Sequence, residues 1–100
     1  MTQLGLFKDR IAEAFAKFDH DNPHVWHHYE RFTLLAISSG RVRYSSDAIV
    51  HRIRWHLDIE TRSADEFKIN DHFTALYARK FHAEHPEHDG FFSTRVRRTE

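Results

Sequence analysis

A helical pattern of aromatic and aliphatic residues near the end of the chain constrains the fold most strongly. Its apolar face comprises four residues at spacings of three and four: Phe73, Leu76, Tyr77 and Phe81. Asn70 can cap the start of this helix, because a short side-chain oxygen accepts one of the first free backbone N–H groups. Pro86 ends the helix, since the residue before a proline is disfavoured in helical geometry. The sequence therefore predicts a capped helix that contributes one apolar face to a small core.

The same periodicity predicts three earlier helices. The first covers residues 3–19, and the second runs from Pro23 to about Ser39, with Pro23 at the first helical position. The predicted buried face of the second helix is Val25, Tyr29, Phe32, Leu35 and Ala36. The third helix starts at Ser45 or Ser46 as its cap, and its predicted inward face is Ile49, Val50, Ile53 and Leu57.

Three short segments have the composition of strands. Residues 41–44 alternate charged and apolar side chains, and residues 67–70 and 91–98 are β-prone segments that flank the last helix. We therefore predict one α+β domain over residues 1–100, with four helices and a small antiparallel sheet. An N-terminal helix over 1–20 would precede a winged-helix-like core over 22–98. Winged-helix proteins usually present one helix to the DNA major groove and a basic wing to the phosphates.

The charge balance limits how such a protein binds a partner. Fifteen basic and fifteen acidic residues cancel, which excludes a uniformly basic nucleic-acid binder and requires a local basic patch. The chain has no cysteine, and hence neither disulfides nor thiolate metal sites. It also has no apolar run of membrane-spanning length and no signal-peptide pattern. We expect a cytoplasmic protein without a membrane partner.

The last helix and the residues around it form the first candidate site, a nucleic-acid-binding surface. Arg and Lys side chains neutralise phosphates, and Thr, His and Arg can reach base edges. The predicted DNA-binding residues are Lys68, His72, Thr74, Arg79, Lys80, Arg95, Arg97 and Arg98. Nearby carboxylates, including Asp71 and Glu84, leave open the alternative of a solvated or protein-binding surface.

A protein-binding site is the alternative, centred on Arg52 and Trp55 in the third helix. The two residues are close to one helical turn apart, so the guanidinium can contact the indole ring in a cation–π arrangement. Exposed Arg and Trp residues are common among those that dominate protein interfaces.

We predict no catalytic site, no cofactor and no physiological metal site. Ten histidines are present, and His82, His85 and His88 recur every three residues, but Pro86 interrupts the helix between the last two. No HExxH zinc motif occurs in the chain. A metal-dependent nuclease of the His-and-Asn type is one alternative, because residues 70–72 are Asn-Asp-His. Such nucleases carry these residues on a hairpin, whereas here the three residues begin a predicted helix.

The second half of the chain resembles a small uncharacterised protein family of phages and prophages. The resemblance rests on five segments: RIRW at 52–55, FKIN at 67–70, YAR at 77–79, HPEH at 85–88 and GFF at 90–92. It implies a phage or prophage setting and supplies no catalytic residues. We predict a non-enzymatic accessory protein that binds double-stranded DNA through its last helix and basic C-terminal strand. The alternative partner is a host protein, with this chain inhibiting a defence or regulatory complex.

Overall fold

The structure, a computed structural model, describes residues 3–61 and 69–93. In these two ranges the chain forms four α-helices, α1 (Gln3–Asp21), α2 (Pro23–Ser38), α3 (Ser46–Trp55) and α4 (Phe73–Glu84). A π-helical turn, His56–Glu60, continues α3, and a 3₁₀ turn, Pro86–His88, follows α4. None of the described helices is long and apolar enough to cross a membrane.

The predicted α+β class and the winged-helix-like arrangement are wrong. Within residues 3–61 and 69–93 there is no strand or sheet, and the only β contact is an isolated parallel bridge between Tyr44 and Phe92. Residues 41–44 are all exposed, so they lack the buried side of a half-buried strand. Phe91 and Phe92 are both buried, whereas neighbouring residues of a strand point to opposite faces. The predicted strand residues 67, 68 and 94–98 lie outside the described residues.

The helix boundaries agree closely with the local sequence signals. Pro23 opens α2, and the Ser45 hydroxyl accepts a hydrogen bond from the Ala48 backbone N–H (3.3 Å) at the start of α3. Gly40 follows α2 with a φ of +101°, a left-handed conformation that glycine adopts without steric cost. Asn70 accepts a hydrogen bond from the His72 N–H (2.9 Å), so it forms the turn that leads into α4 rather than the cap residue itself.

The core lies where α2, α3 and α4 meet, and α1 packs against α2 and α4. Its buried members are mainly aromatic and β-branched: Val25, Trp26, Tyr29, Phe32, Ile49, Val50, Ile53, Ile69, Phe73, Tyr77, Ala78, Phe81, Phe91 and Phe92. Tyr29 and Tyr77 stack at the centre with ring centroids 5.2 Å apart. From α1, Phe15 packs edge-on against Phe73 and Tyr77. The predicted burial of Phe73, Tyr77 and Phe81 is confirmed.

Leu35 departs from the predicted buried face of α2. Its side chain is 63% exposed, whereas Thr33 is fully buried and its hydroxyl donates to the Tyr29 carbonyl oxygen (2.7 Å). At 3.6 residues per turn, Leu35 lies about 120° around the helix from Tyr29. The core covers a narrower stripe of α2 than the apolar pattern predicts.

Candidate nucleic-acid interface

An open groove of about 800 Å³ lies between the start of α3 and the outward face of α4. The loop before α3 contributes Arg43, α3 itself contributes Ser46, and α4 contributes Thr74 and Arg79. Ser93, which follows the 3₁₀ turn, also lines the groove. We call this depression the α3–α4 groove.

A partly buried hydrogen-bond relay links the two sides of the groove. The Ser46 hydroxyl donates to the Thr74 carbonyl oxygen (2.8 Å) and lies 2.6 Å from the Tyr29 hydroxyl oxygen. Because Ser46 has a single hydroxyl hydrogen, Tyr29 is the donor in the second contact. Burial raises the pKa of Tyr29, so this phenol stays protonated and keeps its donor role. The relay connects α2, α3 and α4.

Arg43 and Arg79 supply the unpaired positive charge of the groove. Both side chains are exposed, and within the described ranges neither has an ion-pair or hydrogen-bond partner. The groove also contains Asp47 and Asp71. Arg54 donates to the Asp71 carboxylate and to the Ile69 carbonyl oxygen (2.8 Å), and the first of these bonds lowers the pKa of Asp71. The charge of Asp71 is therefore compensated, and among the described residues that line the groove Asp47 is the one carboxylate that opposes the two free guanidinium groups.

The structure brings together three of the predicted DNA-binding residues and separates a fourth. His72, Thr74 and Arg79 line the α3–α4 groove. Lys80 points to the other side of α4, where its ammonium group pairs with Asp19 of α1 and lies 4.5 Å from the centroid of the Trp26 ring. Lys80 thus stabilises the packing of α1 and is not available to the groove. Lys68, Arg95, Arg97 and Arg98 lie outside the described residues.

Sequence reasoning did not identify Ser46 as part of this site, and it did not pair Arg54 with Asp71. Ser45 and Ser46 were equivalent as cap candidates, and only the packing of α3 on α4 turns the Ser46 hydroxyl toward Thr74. Arg54 and Asp71 are separated by 17 residues, a distance over which no local pattern pairs two side chains. The basic character of Arg43 was visible in the sequence, but its placement opposite Arg79 was not.

The alternative pair, Arg52 and Trp55, does not form the contact that its spacing suggested. The Arg52 guanidinium lies 4.6 Å from the centroid of the Phe32 ring and donates to Glu60. Trp55 is 58% exposed. Arg52 of α3 is thus engaged with Phe32 of α2 and with Glu60, and Trp55 is the exposed member of the pair.

The histidines near the end of α4 make specific contacts with the protein itself. His85 lies 2.7 Å from the Glu30 carboxylate and stacks on Phe81 with ring centroids 4.6 Å apart. The Glu30 hydrogen bond is the main cause that raises the pKa of His85. His82 accepts a hydrogen bond from the Phe92 N–H (3.1 Å) and is only partly exposed. In the described part of the chain, no group of three or more His, Asp or Glu side chains could hold a metal ion.

Comparison with known proteins gives no family for this chain. No protein-family model matches it, and neither a curated protein nor a solved structure matches it. The resemblance of its second half to a phage protein family stays a prediction. The chemistry of the α3–α4 groove therefore carries the functional assignment.

Proposed function

We propose that this protein is a non-enzymatic, cytoplasmic DNA-binding protein that contacts duplex DNA through the α3–α4 groove. The observation that supports this most directly is the placement of Arg43 and Arg79, from different elements, with unpaired guanidinium groups at one groove. Most other basic groups of the described helical core are already engaged, among them Lys80, Arg52 and Arg54. The α3–α4 groove thus brings two free guanidinium groups together, and a chain of zero net charge can bind DNA only through such a local patch.

The polar lining of the groove suits a phosphate backbone. A guanidinium group donates several hydrogen bonds in a planar fork, which fits phosphate oxygens. Hydroxyl groups such as that of Thr74 supply further contacts to phosphate or base edges. After Ser93, which lines the groove, the sequence continues to Arg95, Arg97 and Arg98, which would add charge to the same contact. A DNA-binding role suits the phage or prophage setting that the sequence resemblance implies.

The test compares salt-dependent affinities of matched charge-reversal variants. Arg43→Glu combined with Arg79→Glu should weaken binding to a labelled random-sequence duplex and lower the slope of log affinity against log salt by about 2. The control reverses two exposed basic residues of α1, Lys8 and Arg10, which do not line the groove. Fluorescence anisotropy between about 50 and about 200 mM salt measures both slopes.

A second variant tests the contribution of the C-terminal arginines. Replacing Arg95, Arg97 and Arg98 together by Glu should reduce affinity and flatten the salt dependence further. The proposal fails if the wild-type protein binds no duplex at low salt. It also fails if the α1 control weakens binding as much as the groove variant does.

A further inference from the structure

The C-terminal half of α2 carries an apolar surface with two exposed leucines. Two shallow depressions meet there and share Phe32 and Leu35. The first, of about 350 Å³, lies between α2 and α3 and includes Ala36 and Ile49. The second, of about 440 Å³, follows the outer face of α2 and includes Leu34. Leu34 and Leu35 are its exposed members, whereas Phe32 and Ile49 are buried and line the depressions from the core. We call this surface, lined by Phe32, Leu34, Leu35, Ala36 and Ile49, the α2 patch.

The α2 patch is more than scattered exposed apolar residues. Leu35 is 63% exposed at the junction of the two depressions, and its neighbour Leu34 is 37% exposed. Single exposed leucines are normal on protein surfaces, whereas contiguous apolar surface bordered by polar groups is typical of interaction sites. A concave surface of this kind accepts the apolar face of a helix.

The border of the α2 patch is basic. Arg31, Arg41 and Arg52 line the two depressions, and in the described residues no Asp or Glu lines either of them. The guanidinium groups of Arg31 and Arg52 lie 4.7 Å and 4.6 Å from the centroid of the Phe32 ring, so both are held next to the apolar centre. Glu60 pairs with Arg52 and compensates its charge, so Arg31 and Arg41 carry the free positive charge of the border. A ligand with an apolar stripe and acidic flanks would complement both features.

We propose that the α2 patch binds an acidic amphipathic helix of a partner protein. Apolar side chains at helical spacing would cover Leu34 and Leu35, while flanking carboxylates would lie against Arg31 and Arg41. The arginine border selects the acidic partner over a basic or neutral one, because opposite charges align across the interface and like charges repel. The α2 patch is separate from the α3–α4 groove, with Tyr44 as the one residue that lines both the groove and a depression of the patch.

The test uses a display library of helical peptides. Each peptide carries leucine at helical spacing, and the residues that flank the leucines are acidic, neutral or basic. Selection against the full-length protein should enrich acidic peptides. Leu35→Glu should weaken binding of an enriched peptide at least tenfold, because it introduces a like charge at the centre of the contact. Val42→Glu is the matched control, since Val42 is 83% exposed and lines neither depression.

A charge-swapped variant makes the test independent of Leu35. Replacing Arg31 and Arg41 by Glu should shift the enrichment from acidic to basic peptides. The proposal is overturned if neutral or basic peptides are enriched by the wild-type protein, if nothing is enriched, or if Leu35→Glu leaves binding unchanged. It is equally overturned if sedimentation shows a self-associated protein that Leu35→Glu converts to a monomer, since a second copy would then occupy the patch. Loss of duplex DNA binding in Leu35→Glu alone would assign the patch to nucleic acid instead.

Discussion

Ser46→Ala tests the relay that joins α2, α3 and α4 below the groove. The substitution removes the hydrogen bond to the Thr74 carbonyl oxygen and leaves the buried Tyr29 hydroxyl without its acceptor. A net hydrogen bond contributes ~0.5–1.5 kcal/mol, and an unsatisfied buried polar group costs ~1–3 kcal/mol. We therefore expect Ser46→Ala to lower the free energy of unfolding by ~2–4 kcal/mol.

The double-mutant cycle with Tyr29→Phe separates the relay from simple loss of packing. Tyr29→Phe removes the donor but leaves Ser46 bonded to Thr74, so its cost should be only ~0.5–1.5 kcal/mol. In the double variant no donor is left unsatisfied. The double variant should therefore lose at least ~1 kcal/mol less free energy of unfolding than the two single variants lose together. A coupling of this size is typical of residues in one hydrogen-bond network.

Urea unfolding followed by tryptophan fluorescence measures these values, because Trp26 stacks near Tyr29 with ring centroids 5.8 Å apart. Ser38→Ala is the matched control: its exposed hydroxyl donates only to the Leu35 carbonyl oxygen (2.8 Å), so the free energy of unfolding should change by less than ~0.5 kcal/mol. The relay is refuted if the losses in free energy of unfolding of the two single variants add up to that of the double variant to within ~0.5 kcal/mol. It is also refuted if Ser46→Ala loses no more free energy of unfolding than Ser38→Ala.

Two further predictions concern the core and the histidines. Phe81→Ala should lower the free energy of unfolding by ~3–5 kcal/mol in urea titrations, because Phe81 is fully buried, whereas Leu35→Ala should cost less than ~1 kcal/mol. The hydrogen bond to Glu30 raises the pKa of His85 in the folded protein. The contribution of this contact to folding stability is therefore complete below the unfolded pKa of ~6.5, and it is lost as the pH rises through the folded pKa. Glu30→Gln should therefore lower the melting temperature more at pH ~6 than at pH ~9, and an equal loss at both would contradict this reasoning.

Burial, with a smaller contribution from nearby His56, lowers the pKa of His28, and its effect on stability has the opposite sign to that of His85. The folded protein disfavours protonation of His28. The contribution of neutral His28 to folding stability therefore declines as the pH falls below the unfolded pKa of ~6.5. The two histidines therefore change the stability of the fold in opposite directions as the pH falls.

The positions of the helices follow from interactions between residues three or four apart. Apolar spacing in α2 and α4, the Ser45 cap and the Pro23 start are local features, and each predicts a helix boundary to within a few residues. The burial of Phe73, Tyr77 and Phe81 was predictable for the same reason, since one apolar stripe on a helix must face a core.

The tertiary structure alone decided which polar groups meet and which apolar residues stay exposed. Lys80 pairs with Asp19 across 61 residues, and this long-range contact removes it from the proposed DNA surface. β-prone residues such as Phe91 and Phe92 form no strand because both pack into the helical core, and a sheet requires a paired neighbour that the described residues do not provide. Leu35 remains exposed because the other helices cover the side of α2 that carries Tyr29 and Thr33. Apolar spacing indicates which side of a helix can be buried, but the packing of the other helices determines how wide a stripe is buried.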